Sequence, residues 1–267
     1  MFAVHAVLSY LIFLVTFLYA IGFTGNLVVP KSIDSGTSGA LLPALIVDLL
    51  LLGAFALQHS LMARPAFKRW WTRYVPSPIE RSTYVLFASL VLILLFSAWR
   101  PLPTPIWDLA APQARGWLWA LFGLGWTIVV LSTFMISHFE LFGLKQAMIR
   151  WLDPDPPAEL TTRYLYRYVR HPIMLGFLIA FWATPTMTQG HLLFAIMTTG
   201  YILIGVALEE RDLIAAFGDR YLAYRARVPA LVPWRSGVRS DLAGAPGAAV
   251  TEVDDGRQGP LVGGPGA

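Results

Sequence analysis

The sequence predicts an all-α polytopic membrane protein, a bundle of about six transmembrane helices followed by an amphipathic helix at the membrane surface. Three observations predict it. Charged residues make up only 13% of the 267 positions, about half the share usual in soluble domains. Six uncharged or nearly uncharged runs follow one another, each of about 17 to 22 residues, the length a helix needs to cross the hydrocarbon of a bilayer. Lys and Arg, finally, concentrate in alternate loops, as they do where a chain weaves through a membrane.

The runs are Phe2 to Phe23, Ala40 to Leu61, Ser82 to Trp99, Gly116 to Ser137, Pro172 to Thr188 and His191 to Leu208. The first lacks the basic n-region and small-residue cleavage site of a signal peptide, so it reads as a span. The last two are similar in length and separated by Gln189-Gly190, which predicts an antiparallel hairpin with a turn of two or so residues. Of the 20 Lys and Arg residues, 17 lie in the loop from Met62 to Arg81, in the segment from Ser137 to His171, or after the last span. Lys31, Arg100 and Arg115 are the other three. The positive-inside rule makes the richer side cytosolic, so both termini are expected in the cytosol.

Between the spans, the outer loops are short or Pro-rich. On the inner side, Asp153-Pro-Asp-Pro-Pro157 should break the chain before a polar helical stretch near Glu159 to Arg170. After the last span, Leu213, Phe217, Tyr221 and Tyr224 recur at helical spacing, with Gly218-Asp219 as a break, which predicts a short amphipathic helix or helix pair at the surface. Residues 1–235 are expected to form a single membrane domain. Residues 236–267 are Gly-, Ala-, Pro- and acid-rich and read as a disordered tail.

Several function classes drop out. The chain has no cysteine, which excludes disulfides, thiolate metal sites and cysteine nucleophiles. Its net charge of +4 is modest and its arginines flank apolar runs, so no nucleic-acid partner is expected; the bilayer is. The glycines show no dinucleotide or phosphate-loop spacing. Gly123, Gly125, Gly200 and Gly205 read as sites of close helix packing.

The predicted hairpin brings two polar clusters to one depth at the inner membrane surface: Arg170-His171-Pro172 at its entry and Glu209-Glu210-Arg211 at its exit. Such a group suits a zwitterionic or charged small molecule. It equally suits a snorkelling arginine, a helix-starting proline and solvated glutamates. Asp48 is the one acid in the interior of a span, so it stands as a functional candidate against a protonated or hydrated carboxylate near the outer interface. Glu80-Arg81 and Glu140, on the inner side, can cap helices or line an entrance.

Arg170-His-Pro-Ile-Met-Leu-Gly176, the hairpin, Glu209-Glu210, and Phe217-Gly-Asp-Arg-Tyr221-Leu-Ala-Tyr224 with Val228 and Pro233 together resemble the C-terminal half of the isoprenylcysteine carboxyl methyltransferase superfamily. Within it the chain is similar to the bacterial methanethiol S-methyltransferases, relatives of the NnrU-like proteins. Gln58 to Pro65, Trp71 to Arg73, Glu80 to Tyr84, His138 to Gly143 and Tyr168 to His191 carry that narrower likeness, which spans roughly residues 1–235. The resemblance implies methyl transfer from S-adenosylmethionine to methanethiol, giving dimethyl sulfide.

It also implies a cofactor site drawn from Arg170, His171, Pro172, Gly176, Glu209 and Glu210. The glutamates would accept from the ammonium or ribose, and Arg170 or His171 would pair with the carboxylate. Tyr166, Tyr168, Tyr221 and Tyr224 can stack on the adenine or face the sulfonium; each also fits an interfacial aromatic belt. Met174 departs from the superfamily motif, which more often has Tyr there, and suits a smaller, more apolar acceptor pocket. His171 and His138 are the candidate bases for the acceptor thiol, with His59 and His5 at the same end and His191 at the other. Desolvation of a thiolate would need no base at all. Competing readings are a haem- or metal-binding NnrU-like membrane protein, a transporter or assembly factor, or a methyltransferase of another thiol or of a prenylcysteine carboxylate.

Overall fold

The computed structural model describes residues 1–37, 39–149 and 160–232. The Asp153–Pro157 break, Glu159 and the 236–267 tail fall outside the described residues. Among the described residues five helices are long and apolar enough to cross a membrane: α1 (Phe2–Gly25), α2 (Leu41–Ala63), α4 (Ser77–Ala98), α5 (Pro112–Ile136) and α9 (Gln189–Phe217). Shorter helices lie between or after them: α3 (Pro65–Trp71), α6 (His138–Leu141), α7 (Leu144–Ile149), α8 (Pro172–Trp182) and α10 (Asp219–Arg227). The fold is the all-α polytopic membrane bundle that composition and run length predict. Its outward-facing Leu, Val and Ile side chains, such as Leu11, Val15, Leu50 and Leu57, are exposed as a bilayer requires.

Prolines set most of the helix boundaries. Arg64 precedes Pro65 and is extended, so α2 ends and α3 begins at one residue. Pro112 and Pro172 open α5 and α8 in the same way, and Pro76 and Pro78 bracket the start of α4. α1 instead stops on Asn26, whose left-handed φ of 53° lets its amide return to the Gly22 carbonyl. α6 and α7 fold back under the bundle, where the Arg81 Nε donates to the Leu141 carbonyl at 2.9 Å. Gly143, at φ +83°, permits this approach, since a Cβ there would lie 2.5 Å from the Ser82 nitrogen.

The hairpin departs from expectation. Its first arm, α8, has 11 residues, about 16 Å of helix against a hydrocarbon thickness of about 30 Å. The chain then runs extended through Pro185, and residues 183–188 at about 3.3 Å each supply the remaining distance. No two-residue turn follows, because Gln189 already begins α9. The extended arm satisfies its backbone by pairing. Strand β2 (Thr186–Thr188) lies antiparallel to β1 (Pro105–Asp108), in the Pro-rich loop that looked featureless in sequence. The Leu109 amide donates to the Pro185 carbonyl at 3.1 Å, and the Trp107 indole to that of Thr184 at 3.2 Å. Thr188 caps α9 by accepting from the His191 amide.

α9 is longer than its apolar run. Its 29 residues extend about 43 Å, so roughly its last 13 Å leaves the hydrocarbon, carrying Glu209 and Glu210 at that edge. It ends at Gly218, whose φ of 53° turns the chain into α10. There Tyr221 and Tyr224 are buried while the remaining side chains face outward, the expected amphipathic pattern. Before α8, the predicted polar helical stretch is within the described residues a single 3-10 turn, Tyr164–Arg167.

α5 and α8 approach most closely. A Cβ on Gly125 would lie 2.7 Å from the Gly176 carbonyl oxygen, and one on Gly176 2.7 Å from that of Gly125. Backbone therefore touches backbone, and only glycine fits on either side. A Cβ on Gly123, Gly200 or Gly205 would meet no neighbouring element within 4 Å among the described residues, so of the four predicted packing glycines Gly125 is the one that packs. At the other end of the bundle, Phe23, Ile33, Leu95, Phe96, Trp99 and Phe194 form an aromatic core that holds α1, α4 and α9 together.

Candidate functional site

Arg170 and His171 stand immediately before α8, and Glu209 and Glu210 are on α9. The fold brings the four together. The Arg170 Nε donates to Glu210 Oε1 at 2.8 Å, and its Nη2 makes a second, shorter bond to the same oxygen. His171 lies between the acids, with Nε2 3.3 Å from Glu210 Oε1 and Nδ1 3.5 Å from Glu209 Oε2. Pro172, fully buried, opens α8 directly behind them.

A second set of contacts, invisible in the spacing, comes from the last turn of α10 and the chain that follows it. The Arg170 Nη1 donates to the carbonyls of Val228 and, at 3.1 Å, Arg225. The Arg170 and His171 amides donate to the Pro229 and Ala230 carbonyls at 2.9 and 3.0 Å. Residues 225–230 thus form a strap across the site. Arg225 also sets its Nε 3.4 Å from Glu210 Oε2. Its place beside Tyr224 in an amphipathic helix was the one signal in the sequence, and that signal does not say which way a guanidinium points.

Burial separates two kinds of residue. The Arg170 and Glu210 side chains are 8% and 10% exposed, and with His171 they use their polar atoms on one another and on the strap. Glu209 and Arg225 are each 49% exposed. An acid and a base of opposite sign therefore flank a sealed ionic centre, each with polar atoms to spare.

The tyrosines divide similarly. The Tyr224 hydroxyl donates to the Tyr166 carbonyl at 2.5 Å, tying α10 to the 3-10 turn. Burial pushes the Tyr224 phenol up to about 12. Burial, reinforced by the Glu209 carboxylate, also raises that of Tyr166. The Tyr221 phenol is raised by burial and then by Glu210; its hydroxyl is buried with no hydrogen-bond partner among the described residues. These three are neutral phenols beside the cluster. Tyr168 is 64% exposed and turned outward.

Other candidates lie elsewhere. Gly176 is occupied by the α5 contact described above. His138 accepts or donates at both nitrogens, to Thr133 Oγ1 and the Tyr10 hydroxyl at 2.8 Å each. Its ring stacks on Phe134 at 4.1 Å, and burial holds its pKa below the ordinary value. His59 meets the Tyr84 hydroxyl at 3.0 Å, His5 meets Thr83 at 3.0 Å, and His191 meets the Phe181 carbonyl at 2.9 Å. Among the described residues no three His, Cys, Asp or Glu side chains gather as a metal-holding group. Glu140 pairs with Lys145. Arg81 lies over the Tyr84 ring, 5.3 Å from its centroid.

Asp48 is fully buried. Its Oδ1 accepts the Arg100 amide at 2.8 Å, so it fastens the chain leaving α4, while Oδ2 has no partner among the described residues. Asp48→Asn keeps that acceptor and should melt at or above the wild-type temperature. Asp48→Leu strands the Arg100 N–H and should cost about 1–3 kcal/mol by thermal melting, with activity per folded molecule unchanged.

Known proteins place the chain. It is 57% identical over 232 residues to the methanethiol S-methyltransferase of Mycobacterium tuberculosis, covering 86% of this chain and 95% of that one. It is 56% identical over 235 residues to methanethiol S-methyltransferase 1 of Bradyrhizobium diazoefficiens, covering 88% and 82%. A more distant relative, Nurim of Rattus norvegicus, is 31% identical over 183 residues, 65% of this chain and 70% of its own. No family model matches the sequence. No solved structure matches it either. With relatives this similar along nearly their whole length, the chain belongs to the methanethiol S-methyltransferase family.

Proposed function

We propose that this protein methylates methanethiol to dimethyl sulfide, with S-adenosylmethionine as the methyl donor bound at the Arg170–Glu210 cluster. One observation carries the reading in a chain of this family: Glu209 and Arg225, opposite in sign and half-exposed, flank a buried ionic centre. The amino-acid head of S-adenosylmethionine is an ammonium beside a carboxylate, the complement of that pair. Glu209 takes the ammonium and Arg225 the carboxylate. Arg170, spent on Glu210 and the strap, is a positioning residue. The rings of Tyr166 and Tyr224 offer an apolar wall. Glu209→Gln and Arg225→Gln should each weaken S-adenosylhomocysteine binding about 10- to 100-fold, the effect of a charge-assisted hydrogen bond worth roughly 1.5–3 kcal/mol.

When bound, S-adenosylmethionine supplies an electrophilic methyl group on a sulfonium. With the donor held by Glu209 and Arg225, the acceptor sulfur would take that methyl group in line, the old S–C bond's electron pair remaining on the donor sulfur. The chain contributes proximity and exclusion of water. Both nitrogens of His171 face carboxylate oxygens, and both of His138 face hydroxyls. In this arrangement each of these imidazole nitrogens already faces a protein oxygen, and we infer that methanethiol reacts as the thiolate. The rate at subsaturating methanethiol should then rise about tenfold per pH unit below the thiol's own pKa, with no break near the histidine value of about 6.5.

The same reading sets the topology. Counting α8 with its extended continuation as one crossing gives six, so both termini share a side. The concentration of Lys and Arg there makes that side cytosolic, in the bacterial cytoplasmic membrane, with residues 1–235 as one membrane domain. Headspace gas chromatography tests the function: membranes containing the chain should release dimethyl sulfide from methanethiol and S-adenosylmethionine, and membranes without it should not. If another thiol is methylated and methanethiol untouched, the acceptor assignment fails.

A further inference from the structure

We propose that the connector between α2 and α4, residues 65–74, is a docking site for the headgroup of an anionic phospholipid. The connector holds α3 and the turn that continues it, where the Arg73 and Tyr74 amides still bond to the Trp70 and Trp71 carbonyls. Helical spacing then makes two neighbouring ridges: Arg69 with Arg73, and Trp70 with Tyr74. All four side chains are exposed.

Arg69 and Arg73 are two cations of this end of the bundle whose side chains are not committed to a partner among the described residues, and unlike Arg211 and Arg220 they stand beside an exposed aromatic pair. Arg64 pairs with Asp212 at 3.1 Å, Arg81 with the Leu141 carbonyl, and Arg170 with Glu210. Neither the Arg69 nor the Arg73 side chain makes an ion pair or hydrogen bond among the described residues. Two guanidinium groups one turn apart match a phosphate diester. The aromatic ridge decides which phosphate. Trp70 and Tyr74 meet edge to face at 5.6 Å, and Trp70 continues onto Trp71 at 6.0 Å. Trp71 in turn packs against the buried cluster of Met62, Tyr84 and Val85, and its indole N–H is buried without an acceptor among the described residues. Amphipathic rings held this way sit at the level of lipid headgroups and esters. A soluble anion would need the arginines alone; a lipid uses both ridges.

The test is native mass spectrometry of the purified full chain in detergent, equilibrated with equal amounts of phosphatidylglycerol and phosphatidylcholine. Wild type should retain phosphatidylglycerol in preference. Each arginine near an anionic headgroup contributes about fivefold, so R69Q/R73Q should reduce that preference roughly 20- to 30-fold. W70A/Y74A, with charge unchanged, should reduce it severalfold. R211Q/R220Q, which removes the same charge from the same end, should leave it within about threefold. Unchanged S-adenosylhomocysteine binding shows that each variant is folded and is independent of this proposal. The proposal is overturned if R69Q/R73Q keeps the wild-type preference, or if R211Q/R220Q lowers it equally, which would make it a property of net charge. It is also overturned if inorganic phosphate displaces the lipid while W70A/Y74A has no effect, which would make the connector a plain anion site.

Discussion

Glu210→Ala should abolish S-adenosylhomocysteine binding and lower stability by about 3–5 kcal/mol, the cost of leaving a buried charge without its partner. Arg170 has 8% of its side chain exposed and makes two bonds to one Glu210 oxygen, so water cannot replace the lost carboxylate. The damage spreads through shared partners. His171 loses the acceptor at its Nε2, Arg225 loses its anchor, and the strap over residues 225–230 is held by an arginine whose charge is no longer balanced. Thermal melting and titration with S-adenosylhomocysteine should fall together in this variant. In Glu209→Gln, where the side chain is half-exposed, only binding should fall. That contrast separates the residue that builds the site from the one that presents it to ligand.

Gly176→Leu should give no folded protein, and Gly125→Leu likewise. Overpacking usually costs about 1–3 kcal/mol because neighbouring side chains yield. Here the atoms in the way are the opposing helix's own backbone: a Cβ on Gly125 would stand 2.6 Å from the Ala180 nitrogen. Nothing can give way short of separating α5 from α8, which also withdraws Arg170 and His171 from the acids on α9. Fluorescence-detected size-exclusion chromatography should show both variants aggregated, while Gly200→Leu, with nothing within 4 Å, should run as wild type. Gly176, expected at the cofactor site, is placed by the fold in this packing contact, which the glycine's position in a motif could not reveal.

What could be read from the sequence follows from what run length and charge encode. The five long spans were legible because an uncharged run of sufficient length has few other stable forms in a membrane. α8 was overestimated for the same reason: Ala183 to Thr188 is as uncharged as a helix, and counting charges cannot tell helix from extended chain. The pairing that makes an extended segment tolerable there joins Pro105 to Thr188, a long-range register with no local signature. Pro185 was the available hint.

The site was legible in part. Arg170, His171, Glu209 and Glu210 announced themselves as ionisable groups at one depth, and the fold brings them within hydrogen-bond or ion-pair distance. Their division of labour was not legible, because it depends on burial. Arg170 was the expected partner for a carboxylate, yet the strap encloses it and leaves Arg225 facing outward. Tyr221 and Tyr168 looked equivalent in sequence, and the fold buries one and exposes the other.

The most direct test of the account is calorimetric titration of S-adenosylhomocysteine into the purified wild-type protein, Glu209→Gln and Arg225→Gln, with melting temperatures measured alongside. The expected result is one bound molecule per wild-type chain, at least tenfold weaker binding in each variant, and unchanged melting. Wild-type affinity in both variants would contradict the placement of the methyl donor between Glu209 and Arg225.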